Sequence, residues 1–155
     1  MNKNDMSDNQ PKKLFLLDAY ALIFRAYYAF IRNPRVTSKG LNTSAVFGFL
    51  LALREVLQKQ KPTHIGVVFD THEPTFRHKI FTEYKANRDE TPEDIRNAVP
   101  YIRRLIEAYR IPILECPGYE ADDVIGTLAR KASAKGFETY MMTPDKDFAQ
   151  LVSEN

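Results

Sequence analysis

The chain has 155 residues, 44% of them hydrophobic and 27% charged, with a formal net charge of +2; this describes one soluble globular domain with a real core and excludes a disordered or low-complexity chain. No apolar stretch approaches the roughly 20 residues that cross a bilayer, so no membrane partner is expected. Cys116 is the only cysteine, which excludes an internal disulfide, and the polar N-terminus lacks the apolar centre of a signal peptide, so a cytoplasmic location is expected.

Residues 1–12 read as a disordered leader and residues 13–155 as a single domain. Residues 14–17, Leu-Phe-Leu-Leu, form a first strand that is apolar throughout, as a buried parallel strand should be. Residues 19–31 read as a helix that ends before Asn33-Pro34, because the residue before proline avoids the helical region. Thr43 or Ser44 starts a second helix running to about residue 60, with Val46, Phe47, Leu50, Leu51, Leu53 and Leu57 as its apolar positions. Residues 64–69 form the second strand.

Residues 71–90 change character, mixing Phe76, Phe81 and Tyr84 with Arg77, Lys79, Lys85 and Arg88 at poor apolar periodicity. Thr91-Pro92-Glu93-Asp94 then starts a helix, with proline at the first helical position and acids in the first turn. Pro100 inside that helix predicts a kink or a break. A short third strand covers residues 113–115, and a helix over 120–135 stops at Gly136. The fourth strand is 137–142, and a further helix begins at Asp147. Alternating strands and helices predict an α/β fold: a mostly parallel central sheet with helices on both faces.

Acidic residues sit at the strand ends of this pattern. Asp18 and Asp70 each close an apolar run. Glu120, Asp122 and Asp123 open a helix, and Asp145 and Asp147 follow the last strand. Strand C-termini of a parallel sheet share one edge, where ligands bind, so seven acids from four segments would converge there. Clustered carboxylates repel one another, and hard divalent cations such as Mg²⁺ or Mn²⁺ are the obvious compensation. Helix capping competes with this: an aspartate at a strand end more often caps the next helix, and acids in a first turn favour the macrodipole. Glu120, Asp122 and Asp123 can face one site only if Glu120 lies at or before the cap.

The basic residues fall into two stretches, Arg25, Arg32, Arg35 and Lys39, then Arg77, His78, Lys79, Lys85 and Arg88. An acidic pit with basic flanks suits a phosphate polymer. Tyr20, Tyr27, Tyr28 and Phe30 occur at helical spacing and are expected in the core rather than as base-stacking platforms. Cys116, with no evident base, is expected to be buried and inert.

Several of these residues recur together in a recognisable order: Leu16-Leu17-Asp18, Arg25, Thr37-Ser38-Lys39-Gly40, Val67-Val68-Phe69-Asp70, Phe76-Arg77-His78, Tyr84-Lys85-Ala86-Asn87-Arg88, Gly118-Tyr119-Glu120-Ala121-Asp122-Asp123 and Thr143-Pro144-Asp145-Lys146-Asp147. The chain resembles the N-terminal 5′-nuclease domain of bacterial DNA polymerase I, in the flap endonuclease family with its PIN-like, resolvase-like fold. The resemblance implies two divalent metal ions, Mg²⁺ or Mn²⁺. Asp18, Asp70, Glu120 and Asp122 would hold the first, and Asp123, Asp145 and Asp147 would contribute to the second. It implies that Arg25 and Lys85 act on the scissile phosphate, and that Arg77, Tyr84 and Arg88 join them in contacting DNA.

A helical arch at about residues 76–109 would admit the single-stranded 5′ end. The family's downstream acid pair and helix–hairpin–helix clamp would lie beyond this chain. The implied function is a 5′-3′ exonuclease and flap endonuclease that hydrolyses DNA phosphodiesters, acting as a monomer. A PIN-type ribonuclease or other metal phosphohydrolase, and an inactive nucleic-acid-binding fragment, are the alternatives.

Overall fold

The computed structural model describes residues 11–81, 83–84, 90–144 and 146–152, without the side chains of Asp147 and Leu151. The predicted leader therefore lies almost wholly outside the described residues. The elements follow in chain order: β1 (Lys13–Asp18), α1 (Ala19–Ala29), α2 (Ser44–Glu55), β2 (His64–Val68), α3 (Phe76–Ile80), α4 (Glu93–Ala108), β3 (Ile113–Leu114), α5 (Ala121–Ser133) and β4 (Glu138–Met142). A 3₁₀ turn, Lys146–Leu151, follows β4.

The four strands make one sheet in the order β3-β2-β1-β4, and every pairing is parallel. Alternate side chains of a strand point to opposite faces, and both faces here are covered. Phe15, Leu17, Val67 and Phe69 enter the larger core with residues of α1, α2 and α4, among them Ile23, Phe49, Leu53, Ile95, Ile102 and Ile106. Leu16 and Val68 enter a smaller core with Ala121, Ile125 and Ala129 of α5 and with Phe148. The apolar runs of β1 and β2 thus follow from double-sided burial, as expected of parallel strands.

Two close approaches are built on glycine. A Cβ at Gly48 of α2 would stand 2.7 Å from the Ala26 Cβ of α1, and one at Gly66 of β2 would stand 2.9 Å from the Leu114 side chain. The first allows α1 and α2 to cross with small residues at the contact.

Three sequence expectations change. Helix α2 does not run regularly to residue 60; it passes into a π-helical turn, Val56–Gln60, which ends at Lys61 with φ 47°. Helix α4 is not broken at Pro100, which lies within the continuous span Glu93–Ala108. Four of its residues, Ile95, Ala98, Ile102 and Ile106, are anchored in the core, and that burial outweighs one lost backbone hydrogen bond. Cys116 is partly exposed rather than buried. Among the described residues no helix is long and apolar enough to cross a membrane.

Candidate metal centre and nucleic-acid cleft

The C-terminal ends of β1 and β2 and the N-terminus of α5 open onto one cleft of about 1610 Å³. Asp18, Asp70, Glu120 and Asp122 all line it, with Arg25 on the α1 side and Pro144, just past β4, on the other. Connections from β1 run outward to β2 and β3, and the chain then crosses back to β4 beside β1. The cleft therefore sits at the reversal of strand order, where open parallel sheets place their ligands.

Each acid arrives by a local rule. Asp18 ends β1 and caps α1, its Oδ1 accepting the Ala21 N–H at 3.1 Å, while Oδ2 accepts the Thr143 hydroxyl at 3.3 Å. Asp70 follows β2 and reaches across to α5, where Oδ1 accepts the Ala121 N–H at 2.8 Å. Glu120 is the N-cap of α5 in extended conformation, the position required for it to face the same site as Asp122. Its Oε2 accepts the Tyr84 hydroxyl at 3.3 Å. Asp18 and Glu120 are buried, whereas Asp70 and Asp122 are exposed.

Capping and clustering are thus both present. Carboxylates that would repel one another are stabilised individually by helix N-termini. Among the described residues no three acids, histidines or cysteines stand together as a ready-made ligand group. The donor set nevertheless fits a hard divalent cation, because it offers carboxylate oxygens from three segments on one solvent-open cleft. Mg²⁺ commonly keeps several waters and takes only one or two carboxylates. The buried Thr71 Oγ1, next to Asp70 on the cleft wall, has no hydrogen-bond partner among the described residues, which adds a polar atom available to a hydrated ligand.

Asp123 is placed differently. It turns from the cleft to Arg77, whose Nη1 and Nη2 donate to its Oδ2 and Oδ1 at 2.6 and 2.7 Å. Its Oδ2 also accepts the Glu120 N–H at 3.1 Å, completing a capping box. The hydrogen bond to Asp123, with the charges of Asp123 and Glu120, holds the Arg77 guanidinium pKa well above its ordinary value. Lys85, Arg88 and Asp145 lie outside the described residues, as does the side chain of Asp147.

Tyr28 departs from the expected core position: it is 55% exposed and lines the cleft with Ala21, Phe24 and Arg25. These residues occupy the side of α1 away from the buried Leu22, Ile23 and Ala26. Tyr20 also lines the cleft, and its phenol pKa is raised by burial and by the charge of Asp70. Arg96, on α4, is not among the site residues expected from the sequence. It lines the cleft with Val99 and Pro100, a spacing of three and four residues that marks one helix side and was available as a signal.

The sequence model of the family described as "5′-3′ exonuclease, N-terminal resolvase-like domain" matches residues 13–155. DNA polymerase I of Synechocystis is 46% identical over 143 residues, covering 90% of this chain and 14% of that protein. The 5′-3′ exonuclease of Aquifex aeolicus is 44% identical over 144 residues, covering 93% of this chain and 49% of that protein. The chain thus spans about half of the exonuclease and a small part of the polymerase.

Among solved structures, the T5 D15 protein co-crystallised with metal ions aligns with a TM-score of 0.66 at 18% identity, over 92% of this chain and 52% of that one. The catalytic core of Rad2 in complex with a DNA substrate aligns at 0.52 and 20% identity, over 88% and 40%. At such identities these likenesses establish the fold. The family match and the level of identity to these relatives together show that the chain belongs to the 5′-3′ exonuclease family, as its N-terminal resolvase-like domain.

Proposed function

We propose that the chain is the nuclease module of a 5′-3′ exonuclease or DNA polymerase I, cutting DNA phosphodiesters at 5′ ends and flap junctions with Mg²⁺ or Mn²⁺. The observation that carries this is that Asp18, Asp70, Glu120, Asp122 and Arg25 line one open cleft. Asp18, Asp70, Glu120 and Asp122 would hold a first cation, directly or through its waters, and Asp145 and Asp147 would contribute to a second. Divalent cations held there would lower the pKa of a nucleophilic water and stabilise the leaving 3′ oxygen.

The chain's own residues do the rest. Arg25 and Lys85 bind the scissile phosphate and offset the charge that develops on it. Arg88 and Arg96 hold neighbouring phosphates, while Tyr84 and Tyr28 offer ring faces to an unpaired base. The arch is taken over about residues 76–109, as the resemblance implies, with α4 anchored in the core from Ile95 onward. The same proposal takes the protein as a cytoplasmic monomer.

The test is cleavage of 5′-flap DNA, with RNA of the same shape as comparator, by the full-length protein in Mg²⁺ or Mn²⁺. Asp70→Asn should abolish cleavage while duplex binding survives. Near-wild-type cleavage by Asp70→Asn would exclude the role given to that acid, and preference for the RNA would favour a PIN-type ribonuclease.

A further inference from the structure

Helix α3 has five residues, none of them buried, and a helix that short has no stability of its own. It is fastened instead. The Phe76 N–H donates to the Gly118 carbonyl at 3.0 Å, and the Phe76 and Tyr119 rings lie 5.7 Å apart. The Arg77 guanidinium covers the Phe76 ring at 4.6 Å and grips Asp123 through both terminal nitrogens. The Phe76 and Arg77 ties to Gly118, Tyr119 and Asp123 lead to the stretch where α5 begins, around Glu120.

The Arg77–Asp123 contact is of the strong kind, bidentate and charge-assisted, with the side chains 33% and 23% exposed. Arg77 Nη1 also stands 3.6 Å from Glu120 Oε2. The Asp123 carboxylate in turn holds the Glu120 backbone N–H. Neither Arg77 nor Asp123 lines the cleft, although Thr75, His78, Glu120 and Asp122 do. We propose that Arg77 and Asp123 are a positioning pair, a latch that joins the base of the arch to α5 and orients Glu120. They act in place of the DNA contact and the cation ligand that the family resemblance implies for them. The effect on catalysis rests on the nuclease function proposed above; the latch itself rests on the geometry.

Full-length Arg77→Gln, Asp123→Asn and the double variant test it. In 5′-flap cleavage each should lose roughly 10–100-fold in kcat, as for groups that orient a ligand, with KM little changed and the double variant no worse than either single. In the absence of DNA, limited proteolysis within residues 76–81 should speed up equally in all three. A salt slope of DNA binding reduced by about one in Arg77→Gln alone would show a phosphate contact and overturn the latch. Weaker Mn²⁺ binding in Asp123→Asn alone would show a cation ligand and overturn it equally. Losses that multiply in the double variant, or unchanged proteolysis, would do the same. Should Asp123→Asn fail to fold, Arg77→Lys, which keeps the charge and loses the fork, should show the same changes to a smaller degree. If the wild-type protein cleaves no flap, the nuclease proposal falls, while proteolysis still decides the latch.

Discussion

At the scale of single residues, the acids of the cleft cap helices and, in the proposed function, hold a cation; different substitutions separate the two. Asp18 caps α1 through one oxygen and faces the cleft. Asparagine caps about as well as aspartate, whereas alanine costs about 1 kcal/mol at such a position. Asp18→Asn should therefore leave urea stability nearly unchanged and remove cation-dependent cleavage, while Asp18→Ala should lose both. Equal loss of stability in the two variants would mean that the charge, rather than the cap, holds β1 to α1. The same logic covers Asp70, which caps α5 from a distance of 51 residues in sequence.

At the scale of elements, the crossing of α1 and α2 carries Arg25 to the cleft. Adding a side chain at Gly48 gains helix propensity, up to about 1 kcal/mol. It also drives a Cβ to 2.7 Å from the Ala26 Cβ and 3.2 Å from the Ala26 Cα. Backbone cannot give way as a side-chain tip can, and overpacking typically costs about 1–3 kcal/mol. Gly48→Val should lower the urea midpoint, because the clash wins over propensity. Gly66→Ala should cost less, since its nearest neighbour is the flexible Leu114 side-chain end. A stabilised Gly48→Val would mean that the two helices separate freely.

At the scale of the molecule, the parallel sheet gathers its strand ends on one edge and two helices supply backbone donors there. Asp18, Asp70 and Asp123 are held by these internal partners, which predicts a fold that stands without a cation. A chelator should abolish cleavage and leave the far-ultraviolet circular dichroism native. Saturating Mg²⁺ should raise stability only by the binding term, about 2.7 kcal/mol at a hundredfold excess over Kd. Unfolding on chelation would show that repulsion among the carboxylates exceeds what the caps offset.

Much of this was legible in the sequence by itself. The apolar runs before Asp18 and Asp70 determined two buried parallel strands, since burial on both faces leaves no alternation. Acids at strand ends pointed to the sheet edge where the cleft opens, and the order of short motifs determined the family. Only the tertiary structure decided that Asp123 turns away from the cleft that Asp18, Asp70, Glu120 and Asp122 line. Asp123 and Arg77 are 46 residues apart, and no local pattern says that one neutralises the other. Tyr28 and Arg96 likewise lie on helices whose cleft-facing sides depend on how α1 and α4 dock. Pro100 sits in an unbroken helix because four buried side chains of α4 hold it to the core. Periodicity and capping are local, written in neighbouring residues; pairing and docking are set by distances in space that arise only once the chain has folded.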